Sequence, residues 1–512
     1  MRCSVGDIWK IRLIAVLLVL GISNPLHAWD CTEAHPTINQ LAFEHFVARL
    51  QAGHYKERFT SMAVDNTTSY QGLTFGKAPK FESGTVAKTV NASHNLSGWL
   101  ERGGFDADMP EINMGFRHFY DPVYEPHYLT WQHRSFIKKN KSNYASEEAF
   151  FKSLQYRADD WNPNFEFGFK DRKIKLQPKL LRPQIDAATW AFEHEENDHS
   201  WMQGKIAYKA AMENNTALFG NLNRSQMFGK AFRALGETMH LMADMTQPAH
   251  TRGDSHSMYE PIEKNVKADM IKKIIGARHK SPEFRPVPEF EVEEGLELPE
   301  LMKKLAAFTN AHFFSNDTIF DYETWKFPRN GKRPYPSPQL SRLQHNAGIY
   351  SAYFETVGWV PLAKETGSPF SKVLNDNDRY GRKKPHYNVM PDMAESQAKV
   401  LIPLAIYNCA ECIKAFLPVL KVDFSLRRGG NNNYIATGEI LHDISQDEDW
   451  GKIGAIRFNG FGYVQINDAW QKVEIRNGQM IDTSLSLNSG DKVALVIRAG
   501  GLIVASRKII IP

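Results

Sequence analysis

Apolar residues recur at helical spacing through much of residues 29–420, and this periodicity predicts a mainly helical region. The segments between the predicted helices are rich in proline and charge, which is typical of long surface loops. The longest of these loops are expected at 279–297, 326–338 and 364–392. The predicted helices occupy residues 184–214, 226–247, 298–314, 339–359 and 394–419.

The pattern changes beyond residue 421. A linker rich in glycine and asparagine at 427–433 is followed by short runs of β-branched and aromatic residues. Asn477–Gly478 and Gly500–Gly501 are dipeptides typical of hairpin turns. We therefore expect a small β-sandwich over 422–512, with strands in Tyr434–Leu441, Lys452–Asn467, Lys472–Arg476, Lys492–Ala499 and Leu502–Ile511.

Residues 1–28 differ from the rest of the chain. A short basic region precedes the apolar run Leu13–Ile22, which is too short to cross a bilayer comfortably, and a polar stretch then ends at Ala28. This is the pattern of a signal peptide cleaved after Ala28, so we expect a secreted or periplasmic protein. The remaining chain is predicted to form an all-helical domain at 29–421 and the β-sandwich at 422–512, a mainly α fold class.

Composition narrows the classes of partner. The chain has 512 residues, of which 42% are hydrophobic and 23% charged, as in ordinary globular proteins. Its formal net charge of +4 is too small to indicate nucleic acid or an anionic membrane surface as the partner.

After export the chain keeps Cys31, Cys409 and Cys412. Because export permits disulfides, we expect a structural bridge, with Cys31 joined to one of the other two.

The segment from residue 240 to residue 260 concentrates possible metal ligands. His240 and Asp244 are four residues apart, so they share one face of the predicted helix. Pro248 ends or kinks that helix, and His250 can then fold back towards the same place. His256 and Glu260 follow at the same spacing of four. Imidazole and carboxylate ligands together are typical of zinc sites.

Two further segments could complete such a site. Cleavage after Ala28 would leave Trp29 as the first residue, with its free amine and carbonyl able to chelate a metal, and His35 follows six residues later. The segment 104–122 contains Asp106, Asp108 and His118 as candidate ligands. Beside them, Phe119 and Tyr120 are candidate walls for an apolar or cationic substrate group.

Together these motifs resemble the bacterial zinc-dependent phospholipase C family. The resemblance lies in an N-terminal Trp with a nearby His, an Asp followed by His-Phe-aromatic-Asp-Pro, a helix with His-x-x-x-Asp and a later His, and a final His-x-x-x-Glu. It covers short segments spread over residues 29–265. The matching positions are Trp29, His35, Asp106, His118, His240, Asp244, His250, His256 and Glu260.

The resemblance implies an all-α fold with three zinc ions in a cleft. One zinc would be held by Asp106, His118, His240 and Asp244. The second would be held by His250, His256 and Glu260. The third would be held by the amine and carbonyl of Trp29, His35 and Asp244. Asp244 would therefore bridge two metals, and signal cleavage would be part of assembling the site.

Two ligand positions have alternatives. Pro261 disfavours a helical conformation at Glu260, so Glu263 could take its place. Asp108 could likewise replace Asp106. The implied reaction is hydrolysis of the glycerol-side phosphodiester of a phospholipid such as phosphatidylcholine, which releases diacylglycerol and a phosphorylated head group. Asp106 is the expected proton acceptor for the attacking water.

Two other functions compete with this one. A single-strand-specific zinc nuclease of the same fold would be expected to show a Gly-Gly-Asn segment after the third His and a final pair ending in Asp, and neither is present. A non-catalytic, zinc-stabilised binding protein would show closed metal coordination. We therefore expect a monomeric enzyme that acts on phospholipid at a membrane surface, with no nucleic-acid partner.

Overall fold

The computed structural model contains eleven α-helices and eighteen β-strands among the residues it describes. None of the described helices is long and apolar enough to cross a membrane. The described residues are 32–76, 89–109, 117–123, 127–128, 166–169, 172–175, 185–220, 222–254, 260–292, 295–315, 343–366, 386–430, 432–445 and 447–512.

The helices lie mainly in the first four-fifths of the chain. In chain order they are α1 Ala34–Gln51, α2 Leu96–Asp106, α3 Ala187–Phe192, α4 Trp201–Glu213, α5 Arg224–Asp244, α6 Pro248–Thr251, α7 Pro261–Asn265, α8 Ala268–Ile275, α9 Leu298–His312, α10 Pro391–Phe416 and α11 Glu448–Ile453. The predictions at 226–247, 298–314 and 394–419 are confirmed by α5, α9 and α10. The prediction at 184–214 corresponds to two helices, α3 and α4.

The strands occur both between the helices and after them. They are β1 Met62–Val64, β2 Tyr70–Phe75, β3 Thr89–His94, β4 Glu166–Phe169, β5 Arg172–Lys175, β6 Leu343–Asn346, β7 Ile349–Phe354, β8 Gly358–Thr366, β9 His386–Asn388, β10 Leu420–Gly430, β11 Asn433–His442, β12 Gly460–Ile466, β13 Ala469–Arg476, β14 Gln479–Met480, β15 Thr483–Ser486, β16 Lys492–Ala499, β17 Leu502–Ala505 and β18 Ile509–Ile510.

Helix α5 lies at the centre of the helical region. A capping box fixes its start, because Asn223 and Gln226 exchange side-chain to backbone hydrogen bonds. Every residue from Ala231 to Asp244 is buried, which is typical of a helix packed on all sides. Gly229 approaches β2 and Gly236 approaches α2, and a Cβ atom at either position would collide with backbone atoms.

A ten-stranded antiparallel sheet dominates the C-terminal part of the chain. Its main strand order is β1-β17-β16-β12-β13-β14-β11-β10, with β15 beside β11 and β18 beside β16. Strand β1 comes from the helical region and pairs with β17, with Ala63 opposite Ile503. Gly500 and Gly501 form the predicted hairpin turn with positive φ angles of 59° and 74°. The Gly501 N–H donates to the Tyr70 hydroxyl at 2.7 Å, which joins this turn to β2.

The prediction of a mainly α fold, with an all-helical domain and a small β-sandwich, is therefore wrong. The fold is mixed α/β, with a large curled ten-stranded sheet beside the helices. The segment 339–359, predicted as a helix, contains β6 and β7, which pair as a hairpin. The apolar residues of β7 are buried at every second position, the period of a strand.

The supposed linker at 427–433 is also a hairpin. Strands β10 and β11 pair through it, with Arg427 opposite Ile435. Asn432 adopts a positive φ of 61°, a conformation that asparagine tolerates better than most residues. The described residues of the predicted linker therefore belong to two paired strands and the turn between them.

The approach of α5 to α2 gives a test of the packing. A Cβ atom at Gly236 would lie 2.6 Å from the Leu100 carbonyl oxygen and 2.9 Å from the Gly103 Cα. Because these are backbone atoms, they cannot move aside as a flexible side chain would. We expect Gly236→Ala to lower the free energy of unfolding by about 1–3 kcal/mol, measured by urea denaturation.

The matched control is Gly451→Ala in α11, where nothing lies within 4 Å of the added Cβ. There, alanine should stabilise the helix by roughly 0.5–1 kcal/mol, because glycine loses more conformational entropy on folding. Equal effects of the two substitutions would contradict the proposed close packing of α5 on α2.

Candidate metal centre

The C-terminal end of α5 brings three predicted ligands together. His240 and Asp244 are one turn apart, and both are fully buried. The chain then turns, and the Gln247 N–H donates to the Asp244 carbonyl oxygen at 2.8 Å. Pro248 begins α6, which carries His250. The predicted helix end at Pro248 therefore folds His250 back towards Asp244, with 3.8 Å between Nδ1 and Oδ2.

His35 reaches the same place from the first turn of α1. Its Nε2 atom lies 3.2 Å from the Asp244 Oδ1 atom. Its ring stacks on that of His240, with the centroids 3.5 Å apart and the planes inclined by 14°. A residue near the start of the described chain therefore belongs to the cluster built around the end of α5.

His118 and Asp108 complete the group. His118 Nδ1 lies 2.7 Å from Asp244 Oδ2 and 3.2 Å from His240 Nε2. The Asp108 carboxylate faces both imidazoles, with Oδ1 at 3.5 Å from His118 Nδ1 and Oδ2 at 3.7 Å from His240 Nε2. Sequence spacing left open whether Asp106 or Asp108 joins the cluster, and the structure brings Asp108 to it.

These side chains could bind a metal ion. They form three overlapping groups: His35, His240 and Asp244; Asp108, His118 and His240; and His118, Asp244 and His250. Two ligands of a tetrahedral metal with bonds of about 2.0–2.2 Å lie roughly 3.3–3.6 Å apart. The spacings of 3.2, 3.5 and 3.7 Å among His118, His240 and Asp108 are close to that range.

Backbone carbonyl groups orient two of the imidazoles. His240 Nδ1 lies 2.7 Å from the Gly104 carbonyl oxygen, and His250 Nδ1 lies 2.7 Å from that of His118. Because a carbonyl oxygen only accepts, both Nδ1 atoms carry the proton, and for His240 the Nε2 atom, which faces His118 and Asp108, is the candidate ligand atom. Sequence reasoning missed both acceptors, since a backbone carbonyl group leaves no signal in residue identity.

Three other predicted residues lie apart from these groups. The Asp106 carboxylate accepts hydrogen bonds from Thr74 and from the Phe75 N–H instead. Glu260 is buried and caps α7, with its Oε1 accepting from the Ile262 N–H at 3.3 Å. Its extended backbone before Pro261 agrees with the expected effect of proline. Glu263 lies in the first turn of that helix.

Phe119 and Tyr120, predicted to line the substrate site, pack against histidines instead. Phe119 is fully buried and stacks on His250, with the ring centroids 4.7 Å apart and the planes 9° from parallel. Tyr120 stacks on His127 at 4.7 Å, and its N–H donates to the His250 carbonyl oxygen. The ring of Phe119 and the backbone N–H of Tyr120 therefore both help to fix His250.

Several predictions lie outside the described residues. They concern Trp29, His256, the signal peptide and Cys31. The expected bridge to Cys409 or Cys412 is wrong, since both are buried free thiols. The Cys409 thiol donates to the Met239 carbonyl oxygen at 3.2 Å. Burial raises the pKa of this thiol well above its usual value, so it is unreactive.

A small cleft lies one helical turn before His240 on α5. Glu237 is one of the residues that line it, and burial raises the pKa of this carboxyl group to about 7, against the opposing charge of Arg233. His199 lies nearby, with Nδ1 at 4.0 Å from Glu237 Oε1. Burial lowers the pKa of His199 well below 6.5. The lining residues are Ala107, Trp190, Ala191, Asn197, His199, Glu237, Thr238 and Leu241.

Comparison of this chain with protein-family models, curated proteins and solved structures found no match.

Asp244 is the carboxylate shared by two of the three groups, so its loss should weaken metal binding directly. We expect Asp244→Asn to weaken metal affinity by more than the roughly 10–100-fold typical of losing an outer-shell partner. Metal content after dialysis, measured by atomic emission, checks this expectation. Asp186→Asn is the control, because Asp186 only caps α3. Retention of metal by the Asp244 variant would contradict the assignment.

Glu237 should make stability depend on pH. Its pKa is raised from an ordinary value near 4.5 to about 7, so the folded protein binds more protons than the unfolded chain between these values. This contribution to stability is present below about pH 4.5 and is lost as the pH rises through 7. The loss is on the order of 3 kcal/mol.

Glu237→Gln removes the titrating group, so the free energy of unfolding should fall less between pH 5 and pH 8 than in the unsubstituted protein. Urea denaturation at a series of pH values measures the two slopes. Identical slopes would show that Glu237 ionises normally in the folded state.

Proposed function

We propose that this protein is a secreted zinc-dependent phospholipase C. It would hydrolyse the glycerol-side phosphodiester of phospholipids such as phosphatidylcholine, releasing diacylglycerol and a phosphorylated head group. The observation that carries the proposal is the meeting of His35, His118, His240 and His250 around the Asp244 carboxylate. These are ligand positions in the resemblance, and they come from four separate elements of the chain.

Zinc suits the donors present. Imidazole nitrogen with carboxylate oxygen is a donor set that zinc accepts in tetrahedral sites. His118, His240 and Asp108 would hold one ion, with Asp244 shared between it and a second ion at His35. His250 would contribute to a third. Burial of Asp108 and Asp244 favours a cation at this centre, because isolated carboxylates are costly to remove from water.

The N-terminus contributes in this proposal. Trp29 precedes His35 by six residues in the sequence, and its amine would bind the same metal as His35. Cleavage after Ala28 would release that amine to bind beside His35 and Asp244. The expected secretion and the expected metal centre would therefore depend on the same peptide bond.

The reaction requires charge stabilisation and proton transfer. When bound, zinc supplies positive charge that lowers the pKa of water and offsets charge on a phosphoryl group. As the water oxygen bonds to phosphorus, the bond from phosphorus to the glycerol oxygen would break, and the glycerol oxygen would keep the bonding electrons and take up a proton from solvent. In this proposal Asp108 would accept the proton of the attacking water, since Asp106 is held elsewhere by Thr74 and Phe75.

We expect protein with a verified Trp29 terminus to release diacylglycerol from phosphatidylcholine vesicles. A chelator should abolish the activity and zinc should restore it, because the histidine and aspartate ligands bind the metal reversibly. A protein with one extra residue before Trp29 is the matched control, and its activity should fall sharply.

The same assay separates the competing functions. Cleavage of single-stranded DNA without release of diacylglycerol would replace this proposal with a zinc nuclease. Tightly bound zinc without turnover of either substrate would indicate a non-catalytic binding protein.

A further inference from the structure

The Asp106 carboxylate is surrounded by donors on both oxygen atoms. Oδ2 accepts a hydrogen bond from Thr74 Oγ1 at 2.6 Å and lies 3.1 Å from Arg233 Nε. Oδ1 accepts from the Phe75 N–H at 3.2 Å and lies 3.3 Å from Arg102 Nε. Thr74 and Phe75 therefore occupy two of the roughly four acceptor positions of this carboxylate, and the two guanidinium groups compensate its charge. Ligation of a metal in the cluster would compete with these four contacts.

Arg233 extends these contacts across the core. Its Nε atom donates to Glu237 Oε1 at 2.7 Å, and Nη1 donates to the Leu73 carbonyl oxygen at 2.9 Å. Through Arg233, Asp106 is therefore linked to α5 and to β2. Asp106, Arg233 and Glu237 are all nearly inaccessible to solvent, so little water competes with the contacts among them.

This buried network lies at the point where α2 ends. Asp106 is the last residue of α2, and Asp108 follows two residues later. Gly104, whose carbonyl oxygen orients His240, lies in the same last turn. The contacts of Asp106 therefore hold the backbone of this last turn in place. That backbone carries Asp108, a candidate ligand, and the Gly104 carbonyl oxygen, which orients His240.

We infer that Asp106 is a positioning residue that fixes Asp108 and the Gly104 carbonyl group against His240. Outer partners of this kind typically change metal affinity by about 10–100-fold when they are lost. The inference rests on the metal centre of the proposed function, but it does not depend on which phosphodiester is the substrate.

The test compares three variants by zinc affinity and by the visible spectrum of the cobalt-substituted protein. Asp106→Asn keeps the size of the side chain but removes the charge that pairs with Arg102 and Arg233. We expect zinc affinity to fall by about 10–100-fold and the cobalt spectrum to change. Thr74→Val keeps the charge of Asp106 but removes the hydrogen bond that Thr74 donates to it and the one that Thr74 accepts from Arg102, so it should give a smaller change of the same kind. Its milder effect keeps the test open if the first variant folds poorly.

Asp65→Asn is the matched control. Asp65 is also buried, accepts from Thr67 and Thr68, and pairs with Arg498 at 2.6 Å. It lies after β1, and its side chain contacts none of Asp106, Asp108, His240 and Asp244 among the hydrogen bonds and ion pairs described. Its loss should lower the melting temperature without changing zinc affinity or the cobalt spectrum.

The outcomes distinguish the positioning role of Asp106 from the existence of the metal centre. Unchanged zinc affinity and cobalt spectrum in both Asp106→Asn and Thr74→Val would overturn the inference alone. Equal weakening of zinc binding in Asp65→Asn would also overturn it, because the effect would then follow general loss of stability. A failure of the unsubstituted protein to bind zinc would overturn the metal centre, and the inference with it.

Discussion

The burial of the Asp244 carboxylate among imidazoles is the constraint on which the rest of the site depends. A carboxylate with no exposure to solvent is stable only if several partners meet it at once. His35 and His118 do so at 3.2 and 2.7 Å, although they lie more than 100 residues before it in the chain. Helix α5 must therefore be packed on every side, and Gly236 permits the close approach of α2 that this packing needs.

The C-terminal sheet takes part in the same packing. Strand β1 pairs with β17, and the Gly501 N–H donates to the hydroxyl of Tyr70 at the start of β2. The other end of β2 holds Asp106 through Thr74 and Phe75. The hairpin turn of the sheet and the last turn of α2 therefore support the two ends of one short strand. Through these contacts the sheet supports the helical region that contains the candidate metal centre.

Sequence patterns predicted the elements that are determined by residues close together in the chain. Helical periodicity over 226–247 predicted α5, and the helix break at Pro248 predicted that His250 would fold back towards Asp244, although it did not predict the short helix α6. The patterns failed for 339–359, where the apolar positions fit the period of a helix as well as that of a strand. Only the pairing between strands, which sequence periodicity does not show, decides between the two. They also could not separate Asp106 from Asp108. The difference is decided by Thr74 and Arg233, which are distant in sequence.

Asp106 and Asp108 show how surroundings divide roles between like residues. Asp106 is the last residue of α2 and Asp108 lies two residues further on. Asp106 faces two arginines, whereas Asp108 faces His118 and His240. Arginine stays protonated in proteins, so the partners of Asp106 are permanent and its carboxylate is held in place. Imidazole can lose its proton and coordinate a metal, so the surroundings of Asp108 are those of a ligand. The end of one helix thus supplies a rigid anchor and a chemically available carboxylate within three residues.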